Sequence, residues 1–337
     1  MKVDLVTGAT GFIGRHLVER LVTDMGRGGR RVRILCRRGS ESKLSDALRT
    51  QIEIAYGDLQ NQESLEAALS DVDRVYHCAG HVSDWGSVHS FHSTNVQGTA
   101  WLLEASHKAK VARFVHLSSI AVFGVPAPLY FDDNSDYGPG NDLYSRTKIQ
   151  SEKFIFEFHR QKGLPVTVLR PPVVYGAAGT WLEEPLRMIL KNKMFLLGGG
   201  KGTCHPCYIE NLVDALVLVA GHPAAVGNAY IVGDDQPISF REYFNHLAAI
   251  VDAEPIRRSI PLGIARTTAT VMETFSRLRR SEDRPMLTHT AIHMVTTPSA
   301  MSMKKIRDDL NFRPRFTVES AMAEIRRQRT GENSATS

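Results

Sequence analysis

Cysteine is scarce in this chain of 337 residues, which has only Cys36, Cys78, Cys204 and Cys207. Four thiols are too few to staple a chain of this size, so a disulfide-built secreted scaffold is excluded. The pair in "CHPC" has redox spacing, but it stands in a Gly-rich loop rather than at a helix start after a strand, and it reads as two ordinary thiols. Long apolar runs are missing as well. No stretch reaches 18 apolar residues, so no membrane-spanning helix is expected. The opening "KVDLVTGATGFIG" shows no charged leader or cleavage site; no signal peptide is expected, and the protein reads as cytoplasmic, with peripheral membrane association left open. Nor is there a large excess of one charge. The net charge is +5, and the surplus is arginine in "GRGGRRVRILCRR", "RLRRSEDR" and "EIRRQR". That pattern suits a solvated surface better than a nucleic-acid footprint.

What is present is a rhythm. Short β-branched runs alternate with amphipathic stretches through the first half: strand "VDLVT", helix "FIGRHLVERLVTDM", strand "RVRILC", helix "SKLSDALR", strand "IEIAY", helix "QESLEAAL", strand "DRVYHCA". A long helix "SFHSTNVQGTAWLLEASHKA" then leads to strand "ARFVHLS", and helix "LYSRTKIQSEKFIFEFHRQ" to strand "VTVLRPPVVYG". Such alternation predicts an α/β fold with a doubly wound parallel sheet of the Rossmann type. Beyond Gly176 the rhythm breaks, and a smaller C-terminal substrate lobe is expected. The division is 1–176 for the dinucleotide-binding part, with "NAYIV" (228–232) returning to the sheet, 177–330 mostly for the lobe, and 331–337 as a disordered tail.

The first strand runs straight into "TGATGFIG". Gly8 permits a tight turn, Gly11 lets backbone N–H groups approach a pyrophosphate, and Gly14 permits close packing of helix on sheet. The helix N-terminus then presents unpaired donors to the anion, so Thr10, Phe12 and Ile13 join the three glycines as expected cofactor contacts. After the second strand, NAD binders usually carry an acid for the ribose hydroxyls. Here Cys36 stands at that position and Arg37 and Arg38 follow. A guanidinium can grip a 2′-phosphate, which favours NADP through Arg37, with NAD possible.

From these motifs onward the chain resembles the extended short-chain dehydrogenase/reductase family, the NAD(P)-dependent epimerase/dehydratase superfamily. The resemblance covers nearly the whole chain. It implies that Asp58 and Leu59 of "YGDL" contact adenine, and that Cys78, Ala79 and Gly80 of "HCAG" form the turn beside the cofactor's ribose. Asn95 of "NVQGT" supports the sheet near the site, and Pro171, Val173 and Val174 of "LRPPVVYG" line the nicotinamide pocket. It further implies catalysis by Ser119 of "HLSSIAVFG" with Tyr144 and Lys148 of "YSRTK". Tyr144 would be the acid in reduction and the base in oxidation. A free phenol near pKa 10 is a poor base; Lys148, one turn away, and the positive nicotinamide ring would acidify it. Ser119 would hold the substrate oxygen. The family needs no metal, and the His81, His89 and His92 cluster fits no ligand pattern. Relatives dimerise through helices near 88–109 and 142–161, so a homodimer is expected; Phe154, Ile155 and Phe158 fit that use and equally fit packing on the sheet.

Three features bear on substrate. The segment "GKGTCHPCYIENLVDA" has His205 and no arginine, whereas sugar-nucleotide members often place an arginine there for the diphosphate. Trp85 and Gly86 resemble the loop of the 3β-hydroxysteroid dehydrogenase-like and 3-oxoalkanoate reductase branch. The stretch "PLGIARTTATVMETF" is apolar, suited to covering a greasy ligand or to ordinary core. Expected substrate contacts are therefore Trp85, Ser119, Val174 and His205, around a hydrophobic ketone or secondary alcohol, steroid-like or β-keto acyl in type. Two alternatives remain: a sugar-nucleotide epimerase/dehydratase that regenerates bound NAD, and a redox-sensing scaffold without turnover.

Overall fold

The computed structural model describes residues 2–331 other than Arg280 and Glu282. Seven strands form one parallel sheet: β1 (Val3–Thr7), β2 (Arg31–Cys36), β3 (Glu53–Tyr56), β4 (Val72–His77), β5 (Arg113–Leu117), β6 (Val166–Arg170) and β7 (Asn228–Ile231). Their spatial order is 3-2-1-4-5-6-7, so the chain reverses direction across the sheet between β1 and β4. Ligands of such sheets sit outside the carboxyl ends of the strands at that reversal. Every residue of β1, β5 and β6 is buried, as a parallel sheet covered on both faces demands.

Helices α1 (Phe12–Gly28), α2 (Gln62–Ala68), α3 (Gly98–Lys108), α4 (Leu143–Lys162) and α5 (Ile209–Gly221) cover the two faces. On one face Leu17 and Val18 meet Leu212 and Leu216; on the other, Leu65, Leu102 and Leu103 meet Ile155 and Phe158. Fully burying side chains of this size contributes roughly 1.5–3 kcal/mol each. Ile155 and Phe158 are thereby committed to the chain's own core, and of the three positions weighed for a dimer face only Phe154 remains half-buried. Helix α5 packs against α1, β5 and β6, so it belongs to the sheet. A crossover helix is what a parallel strand such as β7 requires.

Two expected helices are irregular. "SKLSDALR" splits into a 3₁₀ turn, Ser40–Lys43, and a short helix, Asp46–Arg49, because Ser45 turns extended and caps the second piece. The long helix before β5 carries a π-helical turn over Ser93–Gln97 between Val88–His92 and α3. β6 ends at Pro171 and Pro172, and Val173–Tyr175 continues as a separate short strand beside Pro206–Tyr208. Gly331, left-handed, ends the last helix, Val318–Thr330; residues 332–337, expected to be disordered, lie outside the described residues. No helix among the described residues is long and apolar enough to cross a membrane.

Candidate active site

Strand register brings the site together. Thr7 pairs with His77, His77 with His116, and Leu117 with Leu169, so the carboxyl ends of β1, β4, β5 and β6 finish side by side. The glycine turn hangs from the first of them. Gly8 has φ +70°, and a Cβ there would meet the Ala79 nitrogen at 2.6 Å; one on Gly14 would meet the Gly8 oxygen at 2.2 Å. Both positions are closed to any side chain. At Gly11 the nearest atom is the Gly8 oxygen at 3.2 Å, which leaves its outer side clear for a phosphate to approach the backbone. The turn fits a dinucleotide. Phe12 packs on the Gly176–Gly179 turn, so the helix start is tied to the segment that follows the nicotinamide-side strand.

Tyr144, Lys148 and Ser119 do converge. Asp142 caps α4 by accepting from the Ser145 N–H at 2.9 Å, which sets Tyr144 in the first turn. Ser119 caps the 3₁₀ turn Ile120–Phe123, and its hydroxyl lies against the Tyr144 phenol. Lys148 is buried; its Nζ lies 5.9 Å from the Tyr144 ring centroid and donates to the Leu117 carbonyl at 2.8 Å. A Cβ on Gly80 would lie 3.4 Å from that Nζ, which places the "HCAG" turn beside the lysine.

In the chain by itself, burial dominates the electrostatics of the pair. Burial pushes Tyr144 up to about 12, against the opposing pull of Ser119, with Asp142 adding to the rise. Burial pushes Lys148 down to about 8, against the opposing carboxylate of Glu152. Among the chain's own groups the Ser119 hydroxyl favours the phenolate, and desolvation outweighs it.

A buried hydrogen-bond network holds the loop. His77 Nδ1 accepts from the Thr7 hydroxyl at 2.8 Å, and its Nε2 donates to Thr99 at 2.9 Å. Thr99 in turn donates to the Asn95 carbonyl at 2.7 Å, a chain that assigns His77 the neutral Nε2–H tautomer. Burial holds His77 at about 3, so it stays neutral. The Asn95 side chain accepts from the His81 N–H at 2.7 Å and donates to the His81 carbonyl and to Thr147. Asn95 is thus buried and fully engaged; it positions the loop after β4 against α4 and touches the cofactor region only through that loop. Thr147, inside "YSRTK", and the π-turn carrying Asn95 were not singled out in the sequence. The π-turn leaves no residue-type signature, since "NVQG" reads as an ordinary helix.

The other expected contacts divide. Arg37 is largely exposed, 4.0 Å from Asp58, while Arg38 stacks on Tyr56 at 4.6 Å. Asp58 is half-exposed, and Leu59 is in the core against Gly98. Thr10 and Ile13 stay partly accessible at the turn. Cys78 is pushed up to about 12 by burial and is a poor thiolate; Ala79 donates to Thr7. The Pro171 carbonyl accepts from Ile120 at 3.1 Å, which joins the Ser119 segment to the Val173 and Val174 strand. Trp85 donates from Nε1 to the Ser281 carbonyl at 3.0 Å, and Asp84 pairs with Arg284 and accepts from Thr288. Together they clasp the loop after β4 to the C-terminal region.

His205 lies beside the nicotinamide-side strand, its carbonyl accepting from the Val173 N–H at 3.1 Å. It is buried, hydrogen-bonded to Ser299 at 3.1 Å, and faces a cavity of about 400 Å³ lined also by Asp234, Gln236, Met301 and Arg307. The "PLGIARTTATVMETF" stretch forms the helix Leu262–Leu278. Only Ala265 and Ala269 of it are buried, and Ile264, Val271 and Phe275 point outward. Cys204 and Cys207 are both buried and free, their thiols pushed well up by burial.

With this geometry in view, the chain can be compared with known proteins. The model of the NAD dependent epimerase/dehydratase family matches residues 5–233. A 4-hydroxy-2-methyl-3-oxo-4-farnesyl-3,4-dihydroquinoline-1-oxide ketoreductase of Stigmatella aurantiaca is 27% identical over 324 residues, covering 95% of each chain. A 3-beta-hydroxysteroid dehydrogenase of Mycolicibacterium neoaurum is 28% identical over 336 residues, covering 95% of this chain and 89% of its own. Among solved structures, a dTDP-glucose 4,6-dehydratase of Streptomyces venezuelae with NAD bound superposes with a TM-score of 0.77 at 23% identity, over 98% of this chain and 97% of that one. At that identity the likeness is one of fold.

Proposed function

The chain belongs to the NAD dependent epimerase/dehydratase family, and from that premise we propose that it interconverts a ketone and a secondary alcohol on an apolar small molecule, with NADP(H) as hydride carrier. The observation that carries the reading is the convergence of Ser119, Tyr144 and Lys148 beside the Gly80 turn, one strand from the Gly8–Gly14 cradle. Gly8, Gly11 and Gly14 would hold the pyrophosphate, and Arg37, exposed just past the end of β2 and 4.0 Å from Asp58, the 2′-phosphate. Bound there, the nicotinamide dinucleotide supplies or accepts the hydride.

The chain's own residues handle the proton and the charge. Ser119 donates to the substrate oxygen and stabilises negative charge that develops on it. Tyr144, protonated at neutral pH because burial raises it, gives its proton to that oxygen as the carbonyl becomes an alcohol. Lys148, held by the Leu117 carbonyl, keeps a positive charge next to the phenol and stabilises the phenolate left behind. Oxidation runs these steps in reverse, starting from phenolate. Residues 1–176 with the return at 228–232 serve the cofactor, and most of 177–330 the substrate. A homodimer through the helices near 88–109 and 142–161 belongs to the same reading.

Apolar substrates are supported by the relatives named above and by the lack of a guanidinium at position 205. The sugar-nucleotide alternative is supported only by likeness of fold. Purified protein assayed with NADPH and NADH against apolar ketones and UDP-sugars, by nicotinamide absorbance, separates the two. Stoichiometric NADPH oxidation by ketones is expected. Co-purifying NAD with conversion of a UDP-sugar and no net change in reduced cofactor would sink the proposal.

A further inference from the structure

The sheet face covered by α1 and α5 carries charged side chains at the amino ends of its strands. Arg113 opens β5 and pairs in register with Arg74 of β4, which pairs in turn with Asp4 of β1. Register partners in a sheet point to one face, and residues two apart along a strand share it. Tyr76, Val115 and Leu117 set that face against Leu17, Leu212 and Leu216. Two guanidiniums therefore stem from neighbouring strands, about 4.8 Å apart at the backbone. They lie at the opposite end of the strands from the catalytic set: Arg113 precedes Leu117, whose carbonyl holds Lys148, by about 13 Å along β5.

Neither guanidinium has a carboxylate to itself. Asp4 is taken by Arg30, whose Nε donates to both of its oxygens at 2.9 Å. Asp73 accepts from Arg30 at 2.7 Å and meets Lys2 at 3.2 Å; the Arg74 Nε lies 4.0 Å from it. Arg113 is only 9% exposed, and its Nε and Nη1 are buried with no hydrogen-bond partner among the described residues. Burial, with the Arg74 charge beside it, holds Arg113 below the ordinary arginine value. The Tyr76 hydroxyl, buried near Arg74, also finds no acceptor among the described residues. Lys2, Arg30, Arg74 and Arg113 thus share two carboxylates, and the deepest of the four cations is paired with neither. A buried charge without a counter-charge is costly, and an anion taken from solution offsets that cost.

We propose that Arg74 and Arg113 form a binding site for a phosphoryl group, as free phosphate or a phosphate monoester, at the amino edge of β4 and β5. A tetrahedral dianion matches two guanidiniums in charge. Its oxygens also outnumber those of a carboxylate, which suits two forks of N–H donors. Arg74, half-buried, forms the mouth of the site and Arg113 its floor. The Gly8–Gly14 cradle hangs from the other end of β1, so this site is separate from the dinucleotide's phosphates and does not rest on the proposed reaction. Its occupant ties β4 to β5 and acts on the stability of the sheet.

The test is thermal unfolding of the full-length protein at constant ionic strength, titrated with phosphate, glycerol phosphate, acetate or chloride. A ligand held only by the folded state raises the midpoint with a saturating dependence on its concentration. Phosphate or glycerol phosphate is expected to raise it by a few degrees and saturate, and the tighter of the two identifies the source of the phosphoryl group. Acetate and chloride should leave the midpoint unmoved. R113M should melt at least as high as wild type without phosphate, since it removes a buried unpaired charge, and should lose the phosphate response. R74Q, nearer solvent, should keep the wild-type circular dichroism and weaken phosphate binding about tenfold or more; it decides the matter by itself should R113M not fold. A phosphate response that survives unchanged in these variants belongs to another place, such as the Gly8–Gly14 turn, and overturns the proposal. So does an equal shift with acetate, or no shift of the wild-type midpoint with either phosphoryl compound.

Discussion

Tyr144 and Lys148 stand one helical turn apart, and burial moves them in opposite directions, the phenol up to about 12 and the amine down to about 8. The signs set a pH dependence. Ketone reduction needs the protonated phenol, which is present throughout the neutral range. Alcohol oxidation needs phenolate, whose fraction rises about tenfold per pH unit below the governing pKa. Initial rates with NADPH should thus be nearly flat from pH 6 to 8 by order-of-magnitude reasoning, while the reverse rate climbs through the same range. Tyr144→Phe should lower kcat in both directions by roughly 10²–10⁴-fold with little change in KM. Lys148 gives the complementary outcome. Its folded value lies below the ordinary 10.5, so the unfolded chain holds more protons between the two, and stability rises with pH across that window. Lys148→Met should abolish turnover yet raise unfolding stability by ~1–3 kcal/mol at pH 7, a gain that fades toward pH 10. Denaturant melts at both pH values check it; a plain loss of stability at pH 7 contradicts the burial argument.

At the scale of elements, the glycine turn and the π-turn do different work. Gly14→Ala would force a Cβ to 2.2 Å from the Gly8 oxygen, a backbone atom that cannot step aside. It should destabilise the fold by ~1–3 kcal/mol as well as lose nucleotide. Gly11→Ala meets only one atom, at 3.2 Å, so it should fold normally and lose dinucleotide affinity alone. Thermal unfolding and fluorescence titration with NADPH distinguish the pair. The turn was legible in the sequence because its chemistry lies in residue type at fixed spacing. The π-turn at Ser93–Gln97 was not, because it is set by Ser151 and Thr99 donating to one carbonyl, that of Asn95, from two different helices. Helix "SKLSDALR" broke for a local reason, a capping serine in its middle, that a reading by hydrophobic period passes over.

For the whole molecule, the loop after β4 is the bridge between the sheet and the C-terminal region. Asp84 is nearly buried, and although burial raises its carboxyl, hydrogen bonds from Arg284 and Thr288 bring it below the ordinary carboxylate range. Its contribution to stability is present above the unfolded value and is lost as pH falls through the lower folded one. Asp84→Ala should cost ~1–3 kcal/mol at pH 7, increase protease cutting within residues 262–296, and raise KM for an apolar ketone. Dinucleotide affinity should be unchanged, since the Gly8–Gly14 turn makes no contact through this clasp. Cutting confined to the sheet would contradict that division of labour.

Residue order alone determined the parallel sheet and the glycine cradle, because periodicity and short spacings are local and survive in one dimension; the Ser119, Tyr144 and Lys148 set came from the resemblance of its motifs to the family's. Contacts between distant segments decided the rest. They paired the His205 side chain with Ser299, committed Ile155 and Phe158 to the core, and left Ile264, Val271 and Phe275 of the helix Leu262–Leu278 exposed. They also raised Tyr144 by burying it. Which way a side chain faces, and how much water it loses, depends on what packs against it from elsewhere in the chain, and no local pattern encodes that.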